Sequence, residues 1–300
     1  MVSRIHRIML FFVPLLLISL TACQNEQKQQ QQAIGRLAQA LDKQFEVGQA
    51  EALLTLYEVY LQKYGADEAY QYDKARLMSR LGQHEPATRL LLEWLQTYPT
   101  SARAPEAALL LAAVYEEKLQ AYEAARSVYQ MAQQVYSADE TLQARTKTEW
   151  GTFDERMQQL RAQVFNERTG RVNAQAAQEF IWSAEVLATF LPKDTRAPEL
   201  LFQAGDVAGA MGDYAQCLQL FERINEQYPA YEKSAQVLFM RAFTLDDRLG
   251  QLEAAKELYE AFLEKYPDDE LAASARFSLE NLGKSEEEII QEFLRKQSEQ

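Results

Sequence analysis

Gly250 to Pro267 reads GQLEAAKELYEAFLEKYP, and two other stretches of the 300-residue chain carry the same punctuation: Gly82 to Pro99 (GQHEPATRLLLEWLQTYP) and Gly212 to Pro229 (GDYAQCLQLFERINEQYP). In all three, the glycine and the Tyr-Pro pair hold the same places. Five residues after each glycine stands a small residue (Ala87, Cys217, Ala255). Four later comes a large apolar one (Leu91, Phe221, Tyr259), and three later another (Trp94, Ile224, Phe262). Offsets of four and three place these side chains on one face of a helix. The glycine ends a preceding helix by taking positive φ without a Cβ clash, and the proline stops the second helix. The small residue lets two helices approach closely, and the apolar pair fills the space between neighbouring units.

Weaker copies extend the pattern. Gly48 to Gly65 keeps the glycine and Tyr64; Gln120 to Ser137 keeps Ala125, Tyr129 and Tyr136 but neither punctuation residue; a further copy ends at Phe190-Leu191-Pro192. The loop after Pro192 (PKDTRAPE) mirrors that after Pro99 (PTSARAPE), so each hands on to a helix with proline near its first turn.

This phrasing resembles the tetratricopeptide (TPR) family of helix pairs. The resemblance covers most of Gln49 to Leu282 and implies an all-α superhelical solenoid of antiparallel helix pairs. The closing residues 65, 99, 137, 192, 229 and 267 are spaced by 34, 38, 55, 37 and 38. The middle unit is therefore enlarged. The domain expectation is repeats over 33–137, an enlarged segment over 138–175, repeats over 176–284, and a capping helix over 285–300. Within the enlarged segment, EWGTFDERMQQLRAQVFNERTGRVN predicts one overlong amphipathic helix followed by a polar, glycine-containing loop, serving as a hinge, an added contact surface or a tolerated insertion. At the end, Ser285 to Glu288 fits a capping box opening a helix over 286–296, whose Ile289, Ile290, Phe293 and Leu294 should cover the last repeat.

The first 22 residues read as a signal peptide: Arg4, His6 and Arg7 precede an apolar run from Ile8 to Leu20, too short for a stop-transfer helix. Leu20-Thr21-Ala22-Cys23 resembles a bacterial lipobox, which implies cleavage before Cys23 and its acylation. Two or more acyl chains hold a protein firmly to a membrane. Over 23–32, the acylated cysteine is followed by QNEQKQQQQ, which reads as an unfolded tether of at most about 30 Å. Gln24 is not the aspartate of inner-membrane retention signals in similar lipoproteins, which implies an outer-membrane, periplasm-facing destination.

Acidic residues outnumber basic ones 44 to 31, so the chain lacks the cationic footprint of a nucleic-acid binder. No catalytic set emerges: the histidines are His6 and His84 alone, GDVAGAMG has neither a Walker lysine nor a preceding strand, and the acidic pairs suit solvated helix faces. No catalysis, cofactor or metal is expected. Cys217 lacks a disulfide partner if Cys23 is acylated, and it suits a buried position. In a solenoid the first helices of each pair line the concave side, and the inward positions there are Tyr72, Arg76, Leu110, Phe202, Asp206, Met240 and Thr244. A lipobox with such repeats resembles the lipoprotein of the outer-membrane barrel-assembly machinery and the Tol-Pal coordinator. That implies a membrane-anchored scaffold for envelope proteins, bound as a peptide or helix in the groove. The rival reading is a lipoprotein that binds glycan or peptidoglycan.

Overall fold

The computed structural model describes the backbone of residues 5–146, 148–165 and 169–298. Side chains are described from Gln24 onward, apart from those at 147, 148, 166–168, 286, 293, 296 and 298–300. The fold is all-α and built of TPR-like antiparallel helix pairs. The chain forms two compact units, Met1–Gln120 and Ala121–Gln300.

The first unit holds α1 (Ile5–Lys43), α2 (Val47–Tyr64), α3 (Glu68–Arg80), α4 (His84–Thr97) and α5 (Ala104–Ala113), the last extended by a π-turn over Val114–Lys118. Its core begins where Ile34 and Leu41 of α1 meet Leu53, Tyr57 and Tyr60 of α2. It continues through Trp94, 1 % exposed, whose indole N–H donates to the Glu68 carbonyl at 2.8 Å and whose ring lies 5.5 Å from both Tyr72 and Tyr98.

The second unit holds α6 (Tyr122–Val135), α7 (Glu140–Arg145), a 3₁₀ turn (Thr148–Trp150), α8 (Phe153–Val164), α9 (Ala174–Phe190), α10 (Ala197–Met211), α11 (Tyr214–Gln227) and α12 (Ser234–Phe243), which a π-turn carries on over Thr244–Arg248. After these come α13 (Leu252–Lys265), α14 (Ala272–Glu280) and α15 (Glu286–Ser298). Antiparallel pairing is plain in α10 and α11: a Cβ at Gly205 would meet Phe221, while one at Gly209 would meet Cys217.

The repeat signals act as local chemistry predicts. Gly82, Gly212 and Gly250 take φ of 81°, 81° and 61°, and the residue after each donates back into the preceding helix. Ala87, Cys217, Ala255 and all six large residues of the motif are buried. Two degenerate copies keep the geometry without the residues. Gln120 stands in the glycine position with φ of 54°, and Leu191 ends α9 in the backbone conformation that Tyr98, Tyr136, Tyr228 and Tyr266 adopt at their own helix ends. Pro105 and Pro198 sit in the first turns of α5 and α10.

Three expectations need correction. The overlong helix expected within 138–175 is broken: Gly151 takes φ of 73°, and Thr152 with Glu155 forms a capping box that starts α8 afresh. The surplus of the enlarged unit therefore lies in the segments before and after α8; the latter carries the isolated Phe165–Val172 bridge. The segment 24–32 is helical, not an unfolded tether. Glutamine is a good helix former, and Gln27 and Gln31 both donate to the Tyr60 hydroxyl at 2.9 Å. Finally, the capping box at Ser285 and Glu288 does open α15, but the helix does not close the array: Ile290 and Leu294 remain 57 % exposed. Phe293 lies outside the described side chains.

Candidate functional site

In the second unit, α12 and α14 are the first helices of successive pairs. The i, i+4 spacing of Phe239 and Phe243 puts both rings on one face of α12, 6.4 Å apart and stacked, with Met240 beside them. With Ala273, Ser274, Phe277 and Ser278 of α14 they line an open groove of about 510 Å³. Phe277 is 57 % exposed and also lines a second groove, of about 730 Å³, between α14 and α15, where Ile289, Ile290 and Leu294 face it. The two grooves thus form one apolar surface hinged on Phe277. The Lys284 ammonium, 2.7 Å from Glu292, holds the start of α15 at its rim. An exposed apolar surface rimmed by charge on an otherwise well-packed unit is the kind of feature that marks a protein contact.

A polar pocket of about 390 Å³ lies among α6, α8, α9 and the loop before α9. It owes its existence to the enlarged repeat. Arg156 of α8, 5 % exposed, reaches Glu123 with Nε 2.9 Å from Oε2, and its Nη1 donates to the Gln130 side chain at 2.8 Å. Arg126 contacts the same Glu123. Glu179 of α9 accepts from the Glu123 backbone N–H at 2.6 Å, so it caps the N-terminus of a different helix, α6. Burial raises the Glu179 carboxyl above its usual range, against the pull of the α6 amides, and burial lowers the Arg156 guanidinium. The remaining lining is rich in amides: Gln159, Gln163, Asn173 and Gln175. Tyr122, 51 % exposed, stands in the wall. With its carboxylates and guanidiniums paired, this pocket suits neutral polar groups.

Of the residues expected to line a binding groove, Tyr72, Phe202 and Thr244 are buried core positions and are withdrawn from that role. Tyr72 packs on Trp94, Phe202 on Phe221 at 5.8 Å, and the Thr244 hydroxyl donates to the Met240 carbonyl at 2.7 Å. Their burial follows from the rings or methyls they supply between paired helices. Arg76 is exposed beside a small pocket of about 120 Å³ with Tyr57 and Asp73. Leu110 is half-buried. Asp206 is exposed, with partial burial raising its carboxyl against the pull of Lys233 and Arg161. Near it, Glu199 accepts from Lys233 at 2.7 Å and from Gln203 at 2.7 Å. Met240 alone joins the apolar surface. Sequence reasoning missed Phe239, Phe243 and Phe277, although an i, i+4 aromatic pair one residue from Met240 was there to be read.

The Cys23 side chain lies outside the described residues. Among the described residues no helix is long and apolar enough to cross a membrane, and no group of three or more His, Cys, Asp or Glu could hold a metal ion.

Residues 199–231 and 236–269 match the tetratricopeptide-repeat family model. The two matches coincide with the α10–α11 and α12–α13 pairs. No curated protein matches the chain significantly. Of the solved structures, 12 chains match. Among them is the TPR2AB-domain:pHSP90 complex of yeast Sti1, at 10 % identity and a TM-score of 0.33, over 85 % of this chain and 97 % of that one.

Proposed function

We propose that this protein is a non-catalytic, membrane-anchored scaffold whose TPR repeats hold a protein partner through the apolar surface centred on Phe277. The supporting observation is the pair of grooves sharing that ring, on faces of α12 and α14 that stay open to solvent. An amphipathic helix or an extended apolar peptide fits such grooves by setting side chains at i, i+3, i+4 and i+7 into them. The lipobox ending in Cys23 supports anchoring in the cell envelope, at the outer membrane facing the periplasm. Its likeness to barrel-assembly and Tol-Pal lipoproteins supports a role in outer-membrane protein assembly or envelope coordination. The test is crosslinking and affinity recovery of the native lipoprotein against a Phe277→Glu, Met240→Glu form. Loss of the recovered proteins with unchanged helical content supports the surface, whereas equal recovery refutes it.

The amide-lined pocket beside Tyr122 favours a second reading, a lipoprotein that binds glycan or peptidoglycan without cleaving it. Retention of soluble peptidoglycan fragments by the protein, weakened by Tyr122→Ala, would bring that reading forward.

A further inference from the structure

We infer that α1 is a rigid stalk that sets the α2–α3 turn on the lipid surface. This rests on the proposed acylation of Cys23. Positions 27, 31, 34, 38 and 41 alternate steps of four and three, the spacing of one helical face. Ile34 and Leu41 are 2 % and 3 % exposed, Ala38 packs on the same cluster, and Gln27 and Gln31 carry the seam outward to the Tyr60 hydroxyl. One residue nearer the anchor, Glu26 pairs with Lys63. The glutamine-rich segment is thus held against α2 almost to its first residue.

The helix also suits the processed chain. After cleavage its first turn would be residues 23–26, and Glu26 there complements the positive end of the helix dipole. At 1.5 Å per residue, Gln32 lies only about 14 Å along the axis from Cys23, against the roughly 30 Å that the same residues span as an extended tether. The pairings of 26 with 63 and of 27 and 31 with 60 run antiparallel. They bring the turn over 65–67 level with Cys23. Lys63 is held by Glu26 at that end, and the exposed Lys28, five residues after Cys23, is a cation placed to meet anionic headgroups. The partner is therefore the anchoring bilayer itself.

The experiment is hydrogen exchange by mass spectrometry on the full lipoprotein in vesicles of phosphatidylethanolamine and phosphatidylglycerol. It is compared with the Cys23→Ala form in solution and with a lipoprotein carrying about a dozen Gly-Ser residues after Cys23, enough to lift the body by roughly 20 Å. Peptides covering 27–32 should exchange at least tenfold slower than an unstructured chain in all three. Those covering 64–68 should gain protection only in the lipoprotein without the insert. Free-chain exchange over 27–32 overturns the stalk; equal exchange over 64–68 in the two lipoproteins overturns the docking. An intact mass showing an unmodified Cys23 thiol refutes the anchor itself and the docking with it, and is distinguished from a failed stalk by the slow 27–32 amides of the Cys23→Ala form.

Discussion

Gly205 and Gly209 stand one turn apart in α10, and replacing each by alanine should have opposite effects. A Cβ at Gly205 would lie 2.8 Å from Cδ1 and 2.9 Å from Cζ of the Phe221 ring, and closer still to Cε1. Phe221 is fully buried and cannot swing aside. At Gly209 the nearest atom is the Cys217 sulfur at 3.6 Å, an ordinary contact. Both substitutions gain about 1 kcal/mol of helix propensity, and both restrict the unfolded chain alike. Those effects cancel between the two variants, leaving the overpacking cost at 205, about 1–3 kcal/mol. Gly209→Ala should therefore stabilise by about 1 kcal/mol, and Gly205→Ala should range from neutral to about 2 kcal/mol destabilising. Urea unfolding followed by helical circular dichroism measures both. Phe221→Leu in the Gly205→Ala background should recover part of the loss, a coupling of about 0.5–3 kcal/mol expected of residues in contact. Equal midpoints for the two single variants, or additivity in the double one, would refute close approach of α10 and α11 at Gly205.

Gln120 holds a left-handed conformation that costs a side-chain-bearing residue about 1–2 kcal/mol. Gln120→Gly should raise stability by about 0.5–1 kcal/mol after the extra chain entropy of glycine is subtracted, and a loss in thermal or urea unfolding would contradict the turn geometry. The Cys217 thiol is 3 % exposed, and burial pushes its pKa up to about 11. In native Cys23→Ala protein it should resist a thiol reagent and react fully in urea, whereas rapid native labelling would show that the α10–α11 contact opens. Asp194 accepts from the Arg196 Nε at 2.9 Å and from its Nη2 at 2.6 Å, and these bonds hold the carboxyl below its usual range. A depressed folded pKa contributes stability that is present above the unfolded value near 3.8 and is lost as pH falls through the lower folded value. Asp194→Asn should therefore cost about 1 kcal/mol at neutral pH and nothing once the carboxyl is protonated in both states. A pH-independent difference in unfolding midpoints would contradict the linkage.

The sequence by itself determined the helix pairs. Each pair is written in short-range chemistry: a glycine that can take positive φ, a small residue five places on, an apolar face of period 3.6, and a closing proline. Interactions of that reach need no knowledge of the rest of the chain, which is why Ala87, Leu91 and Trp94 could be assigned to the core from the pattern alone. Some short-range marks were present and misread: Gly151 with Thr152 and Glu155 already spelled the end of one helix and the start of another. Tertiary structure decided the rest. Glutamines 27 and 31 read as tether until the Tyr60 hydroxyl offers them a partner some thirty residues away. Glu179 caps α6 across more than fifty residues. Ile290 and Leu294 carry the same amphipathic pattern as buried helices yet stay open, because amphipathicity states that a face wants a neighbour and only packing shows whether the chain supplies one. The exposed surface around Phe277 is the place where this chain leaves that demand unmet.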